Sequence, residues 1–167
     1  MNESRRRLLI VWWSVTGASR QLSQAAYEGA VAEGTIDVVI RGCDEAGAQD
    51  LLDADGYLFV APENLATLAG VMKDFFDRTY YPVLDRLNGR PYAQIISAGS
   101  DGTGAARQLA RIATGWRLRE AAEPLIVVTP AQTPEAILAP KVVAADRLAQ
   151  ARELGAALAA GLAMGIW

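Results

Sequence analysis

The chain contains no histidine and a single cysteine, Cys43, among its 167 residues. One thiol cannot form an internal disulfide, a CxxC redox pair or a thiolate zinc cage. Histidine is the commonest metal ligand in proteins and the usual proton shuttle at neutral pH. We therefore expect no metal site, and if the protein is an enzyme its demanding chemistry must come from elsewhere than these side chains.

The chain also lacks a large excess of either charge, since it has 16 basic and 19 acidic residues and a net charge of −3. No global positive field is present to attract phosphate backbones, so we do not expect nucleic acid as a partner. The one basic cluster, residues 5–7, directly precedes a predicted strand and is interpreted as its solvated entrance. The apolar run at residues 8–13 is too short for a signal core or a membrane span. We expect a cytoplasmic protein with no membrane partner.

The length of the chain fits one domain, residues 1–167, with a substantial core. Five short apolar runs are rich in β-branched or aromatic residues: 8–13, 36–40, 56–61, 93–98 and 125–129. Each is almost continuously hydrophobic, which is typical of strands covered on both faces in a parallel sheet.

Segments with helical spacing separate these runs. They cover residues 19–34, about 69–80 before Pro82, 104–114 and 143–164, with a weaker candidate at 44–52. Residues 129–140 contain three prolines and are predicted to form a surface loop. The alternation of strand and helix predicts a doubly wound parallel sheet, in which ligands bind beyond the carboxyl ends of the strands. The loops after the first, third and fourth strands are therefore the candidate site.

The first loop places Ser14, Thr16 and Ser19 around Gly17, just before a helix. Hydroxyl donors, a glycine turn and a helix N-terminus together favour an anion such as phosphate. The alternative is an ordinary helix cap formed by Thr16 or Ser19. A Walker loop is excluded because no lysine follows the glycine, and no glycine triplet opens the helix.

The loop after the fourth strand, "SAGSDGTG", carries Gly99, Gly102 and Gly104. This density allows the backbone to approach a flat ligand closely. The alternative is a flexible strand-to-helix turn capped by Ser100 or Asp101.

In the loop after the third strand, Glu63 has the alternative interpretation of a carboxylate at a helix entry, where the helix dipole favours it. Lys73 and Asp77 have the spacing of a surface ion pair. An aromatic cluster at helical spacing is predicted to serve core or dimer packing; it comprises Phe75, Phe76, Tyr80 and Tyr81.

Two of these loops carry a resemblance to known families. Ser14, Thr16, Gly17 and Ser19 match the [ST]-x-T-G-x-[ST] phosphate loop of the flavodoxin-like superfamily. The segment after the third strand resembles the NAD(P)H-dependent FMN reductases of that superfamily, and the matching residues are Pro62, Glu63, Gly70, Met72, Lys73 and Asp77. The tyrosine and asparagine of the family's PEYN opening are replaced here by Asn64 and Leu65. The resemblance implies a flavodoxin-like fold with five parallel strands in the order 2-1-3-4-5 and helices on both faces.

The same resemblance implies an FMN site built from three loops, with phosphate at the first and the flavin ring at the other two. The implied cofactor-binding residues are Ser14, Thr16, Gly17, Ala18, Ser19, Pro62, Glu63, Asn64, Leu65, Ala98, Gly99, Ser100, Asp101 and Gly102. FMN would carry the chemistry, so no catalytic side chain is needed.

The implied activity is hydride transfer from NAD(P)H through FMN to a small acceptor such as a quinone or a free flavin. A homodimer is implied as well. The two alternatives are an electron carrier of flavodoxin type and a flavin-free binding module. The reductase is favoured because acidic residues only slightly outnumber basic ones and because carriers lack the PEYN-like segment.

Overall fold

The computed structural model describes residues 5–167. In it the chain forms a central sheet with helices on both faces. The strands are β1 (Arg7–Trp12), β2 (Asp37–Gly42), β3 (Gly56–Asn64), β4 (Thr67–Leu68), β5 (Pro91–Ala98), β6 (Arg119–Glu120) and β7 (Leu125–Val128). The helices are α1 (Ala18–Ala32), α2 (Ala48–Asp53), α3 (Gly70–Val83), α4 (Thr103–Gly115), α5 (Pro134–Leu138) and α6 (Ala145–Met164).

The predicted parallel sheet and its strand order are confirmed. The five long strands run β2-β1-β3-β5-β7, and every pair among them is parallel. The predicted count of five is too low, because the two-residue strands β4 and β6 complete a sheet of seven. β6 and β7 pair with the start and the end of the same edge of β5. Glu120 and Leu125 are five positions apart, whereas their partners Tyr92 and Ile95 are three apart, so two extra residues break this edge.

Two apolar cores lie on opposite faces of the sheet and explain why the strands are hydrophobic throughout. In β1, Leu8 and Ile10 face the core under α1 and α6, whereas Leu9 and Val11 face the core under α2, α3 and α4. All four side chains are at most 1% exposed. Burial of each such side chain stabilises the fold by about 1.5–3 kcal/mol relative to its exposure.

The helix predictions are confirmed for the four long helices, and three details of the helix assignment differ. Helix α3 runs through Pro82 to Val83, since a proline in the last turn removes only one helical hydrogen bond. The predicted loop 129–140 contains the short helix α5, which Thr133 caps by accepting a hydrogen bond from the Ala136 N–H at 3.2 Å. The weaker candidate at 44–52 corresponds to α2, which begins only at Ala48.

Glycines bring α1 and α6 into backbone contact. A Cβ on Gly29 would lie 2.0 Å from the carbonyl oxygen of Arg152, and one on Gly155 would lie 1.9 Å from that of Ala26. Neither position therefore accepts a side chain without moving a helix.

The aromatic cluster serves mainly the core. Phe75 and Phe76 are buried, and the Tyr80 ring stacks on Trp116 with centroids 5.8 Å apart. Tyr81 remains 78% exposed. The predicted surface pair of the same helix is confirmed, with Lys73 Nζ 2.6 Å from Asp77 Oδ1. Within residues 5–167, none of the helices combines the length and apolar character needed to span a bilayer.

Candidate functional site

The carboxyl ends of β1, β3 and β5 open into one cleft of about 540 Å³. It is lined by Thr16, Ala18, Pro62, Glu63, Asn64, Leu65, Ala66, Ser97, Ala98, Gly99, Ser100, Thr129, Ala131, Ile137 and Lys141. All three predicted loops contribute to this lining, as expected where parallel strands end at the same edge of a sheet.

Nine of the fourteen predicted site residues line the cleft, and five do not. The five are Ser14, Gly17, Ser19, Asp101 and Gly102. Each lies in one of the three loops, where it shapes the backbone or is bonded to another part of the chain. The contacts of the fourteen residues with a cofactor stay a prediction.

The loop between β1 and α1 turns at Gly17 directly before the helix. Gly17 adopts φ 100° and its N–H donates to Ser14 Oγ at 3.1 Å. The first helical hydrogen bond runs from Gln21 N–H to the Gly17 carbonyl, so the preceding amides lie outside the helical ladder. Within residues 5–167, α1 receives no side-chain cap, so the alternative in which Thr16 or Ser19 caps the helix is wrong. The Thr16 side chain remains at the cleft.

Ser19 differs from the other two hydroxyl residues of this loop. Its side chain is 1% exposed and shares a 2.8 Å hydrogen bond with the hydroxyl of Ser97 on β5. This pair joins α1 to the sheet beneath the cleft. The Ser19 hydroxyl therefore stabilises the fold of the loop in this structure, and Ser97, which the sequence analysis missed, lines the cleft in its place.

Glu63 connects the loop after β3 to the loop after β5. Its Oε1 accepts a hydrogen bond from the Gly102 N–H at 2.9 Å, and its Oε2 accepts one from the Ala105 N–H at 3.0 Å. The carboxylate thus caps α4 and lies against the positive end of that helix dipole. Glu63 therefore lies against a helix dipole, as the alternative predicted, but the predicted position at the entry of the following helix is wrong, because the helix is α4 and not α3.

A two-residue hairpin joins β3 to β4 at the rim of the cleft. Asn64 pairs with Thr67, and the turn residues Leu65 and Ala66 have φ values of 52° and 66°. Such turns favour asparagine or glycine, because a side chain is strained at positive φ. The Leu65 side chain is 99% exposed. A Cβ on Gly104 would lie 2.1 Å from the Ala66 carbonyl oxygen, so the hairpin packs directly against α4.

The loop after β5 turns sharply at Gly102, which adopts φ 91° and leaves no room for a Cβ beside Ile126. Asp101 bonds locally, accepting from the Thr103 hydroxyl at 2.8 Å and from the Thr103 N–H at 3.3 Å. The alternative of a capping role for Asp101 therefore has structural support. The cleft surface of this loop comes from Ala98, Gly99 and Ser100.

A fourth wall of the cleft was missed by the sequence analysis. The segment between β7 and α6, here called the 129–143 segment, contributes Thr129, Ala131, Ile137 and Lys141. The Ala131 N–H donates to the Gly99 carbonyl at 3.1 Å, and the Lys141 N–H donates to the Thr16 carbonyl at 2.7 Å. The segment therefore bridges the loops after β5 and β1. A signal was present in the sequence, since this segment also follows a parallel strand and so begins at the same edge of the sheet.

Cys43 lies away from the cleft lining. Burial, assisted by the negative charge of Asp44, raises the pKa of the Cys43 thiol to about 12. The reactive thiolate is therefore scarce at neutral pH.

Comparison with known proteins assigns the chain to a family. The profile of the family described as NADPH-dependent FMN reductase matches residues 44–129. A flavodoxin from Aquifex aeolicus (strain VF5) is 30% identical over 99 residues, which cover 59% of this chain and 53% of that protein. The matched part therefore spans about half the length of this curated relative.

Two solved structures show the same fold at low identity. A flavodoxin from the domain Archaea superposes with a TM-score of 0.74 at 15% identity, covering 93% of this chain and 98% of the other. The flavodoxin of Streptococcus pneumonia TIGR4 gives 0.73 at 20% identity, covering 92% and 98%. The family profile matches more than half of the chain, including the loops after β3 and β5. The chain therefore belongs to the NADPH-dependent FMN reductase family of the flavodoxin-like superfamily.

Proposed function

We propose that this protein binds FMN in the cleft and transfers hydride from NAD(P)H through it to a small acceptor, such as a quinone or a free flavin. The family supports the cofactor and the class of reaction. The observation that carries the proposal is the cleft itself. The loops after β1, β3 and β5 all line it, and they supply both polar groups and small apolar side chains.

The residues of the cleft fit FMN. At one end, the Thr16 hydroxyl, the first amides of α1 and the Lys141 cation suit a phosphate. At the other end, Pro62, Ala98, Gly99 and Ala131 present small side chains suited to a planar ring. A Cβ on Gly99 would lie 3.1 Å from the Ala131 carbonyl oxygen, so glycine keeps these two walls close. The volume of the cleft also lies in the usual range for cofactor sites.

When bound, FMN supplies the ability to accept and donate hydride, and the protein supplies binding and orientation. Glu63 holds the loops after β3 and β5 together, which fixes the walls of the ring site. Leu65 lies at the exposed rim, where NAD(P)H and the acceptor would enter in turn. No side chain is required as a nucleophile, in keeping with the buried thiol of Cys43.

The proposal is tested by anaerobic titration of the FMN-loaded protein with NADH and with NADPH. We expect loss of the yellow flavin absorbance with at least one of them, and its return when a quinone is added. If neither nucleotide reduces the flavin while dithionite does, the reductase assignment is wrong.

A flavodoxin-type electron carrier is the second candidate, because the curated relative and both structures compared above are flavodoxins. A carrier would be reduced in two separate one-electron stages by a protein donor, whereas a reductase takes up both electrons from one nucleotide. Stepwise reduction followed by absorbance separates the two. A flavin-free binding module would show no rise in Tm on addition of FMN.

The single domain, the cytoplasmic location and the homodimer stay predictions. Tyr81 on α3 is the exposed aromatic residue of the helix to which the dimer prediction applies. Size-exclusion chromatography with light scattering tests the assembly.

A further inference from the structure

Lys141 is held directly against the loop between β1 and α1. Its backbone N–H donates to the Thr16 carbonyl at 2.7 Å, and its carbonyl accepts from Gln21 Nε2 at 2.8 Å. The same Gln21 amide donates to the Gly17 carbonyl at 2.9 Å, and Gln21 Oε1 accepts from the Val143 N–H at 3.1 Å. These four hydrogen bonds fix the backbone of Lys141 beside the proposed phosphate loop.

The ammonium group of Lys141 is equally well held. Nζ donates to the carbonyls of Ala136 at 2.7 Å, Ile137 at 3.0 Å and Ala139 at 2.6 Å. These bonds occupy all three N–H donors and close the turn that follows α5, so Nζ contacts a phosphate directly by exchanging one of these carbonyls for a phosphate oxygen. Carbonyls are neutral dipoles, so they orient the ammonium group and leave its full positive charge in place.

Among the residues that the structure describes, no carboxylate neutralises this charge. Within residues 5–167, Lys141 forms no ion pair, although Lys73, the other lysine, pairs with Asp77. The cleft lining contains one further charged group, Glu63, whose two oxygens accept hydrogen bonds from the amides of Gly102 and Ala105. The carbonyls at the C-terminal end of α5 stabilise the cation but carry no full negative charge, so an anionic ligand would add a stronger, charge-assisted interaction.

The loop between β1 and α1 needs such a charge if it is to hold a phosphate. Residues 14–19 contain no charged side chain. The Ser19 hydroxyl is bonded to Ser97, and Ser14 Oγ already accepts a hydrogen bond from Gly17. This leaves the Thr16 hydroxyl, the Ser14 O–H and the helix amides as donors, all of them neutral and individually weaker than charged ones.

We propose that Lys141 provides the positive charge that binds the phosphate monoester of the cofactor, so that the protein selects FMN over unphosphorylated riboflavin. The proposal rests on the proposed function and deepens it. Lys141 lies outside residues 44–129, which carry the family match, and the 129–143 segment holds it against the loop between β1 and α1.

The test compares the affinities of FMN and riboflavin, measured by quenching of flavin fluorescence, for the wild type and for Lys141→Gln. The two ligands differ only in the phosphate, and glutamine keeps N–H donors for the carbonyls while removing the charge. We expect K141Q to bind FMN about 10- to 100-fold more weakly, as for the loss of one charged contact. Riboflavin affinity should change less than about threefold, which is below 1 kcal/mol. Lys73→Gln is the matched control and should leave both affinities unchanged.

If K141Q lowers the affinities for FMN and riboflavin equally, Lys141 only shapes the 129–143 segment. If the FMN affinity is unchanged, the charge of Lys141 is not needed for binding. Either result overturns the inference. Should K141Q not fold, Lys141→Arg must keep the FMN preference, and in the wild type FMN affinity must fall with added salt while riboflavin affinity does not. A wild-type protein that binds neither flavin refutes the proposed function itself. A wild type that binds FMN with K141Q unchanged refutes only the role of Lys141.

Discussion

Replacement of Glu63 by alanine tests whether one carboxylate holds two walls of the cleft together. Glu63 lies near the end of β3, and its oxygens accept hydrogen bonds from the N–H groups of Gly102 and Ala105 at the start of α4. Ala105 is fully buried, so in E63A its amide would have no water to replace the lost acceptor.

The expected loss of stability in E63A follows from the two hydrogen bonds that the Glu63 carboxylate accepts. Removal of a helix cap costs about 0.5–2 kcal/mol, and a buried donor left without a partner costs about 1–3 kcal/mol. Since Gly102 and Ala105 are both buried, both amides lose their acceptor, and we expect the free energy of unfolding to fall by about 3 kcal/mol in total. For a protein of this size, that corresponds to a fall in Tm of about 6–12 °C. Glu63→Gln keeps one acceptor oxygen and should lose about half as much.

Urea unfolding followed by circular dichroism measures these changes in the absence of flavin. Asp77→Ala is the control, because it removes a carboxylate from the exposed pair with Lys73 and should cost less than about 0.5 kcal/mol. If E63A and D77A have the same stability, the carboxylate does not hold α4 to β3, and the rigidity that we assign to this wall of the cleft is refuted.

Three further predictions concern stability and reactivity. Replacement of Leu65 and Ala66 by Asn-Gly should raise the free energy of unfolding by about 1–2 kcal/mol, because both residues have positive φ; an unchanged urea midpoint would show that the turn is not strained. Gly155→Ala should lower the free energy of unfolding by more than about 2 kcal/mol, because its Cβ would lie 1.9 Å from the Ala26 carbonyl oxygen. Gly70→Ala, at a helical position with open space, should be neutral or stabilising in the same assay. Finally, burial raises the pKa of Cys43 from 9.0 to about 12, so the stability contributed by the neutral thiol is complete below pH 9 and is lost as the pH rises to about 12. The difference in stability between wild type and Cys43→Ala should narrow over that range, and a constant difference would contradict the shift.

The fold could be predicted from sequence because its main determinants are local. Near-continuous apolar runs such as 8–13 and 56–61 predicted buried parallel strands, and both proved to be covered on two faces. The loop after β1 was located for the same reason, since hydroxyl residues and Gly17 stand directly before a helical pattern. Short elements escaped prediction: β4 and β6 have two residues each, and α5 lies in a segment whose prolines indicated a loop.

The sequence by itself therefore determined the class of fold, the strand order through its family resemblance, and the loops at which a ligand would bind. Only the tertiary structure decided how side chains in those loops are used. It directs Ser19 to Ser97, Glu63 to the start of α4, and Lys141 to the loop that contains Thr16. Each of these contacts joins residues far apart in the chain. Hydrophobic periodicity and turn chemistry predict only the local structure of residues that are close in sequence. The physical reason is that loop side chains are positioned by the strands and helices that pack around them, and this packing is present only in the folded protein.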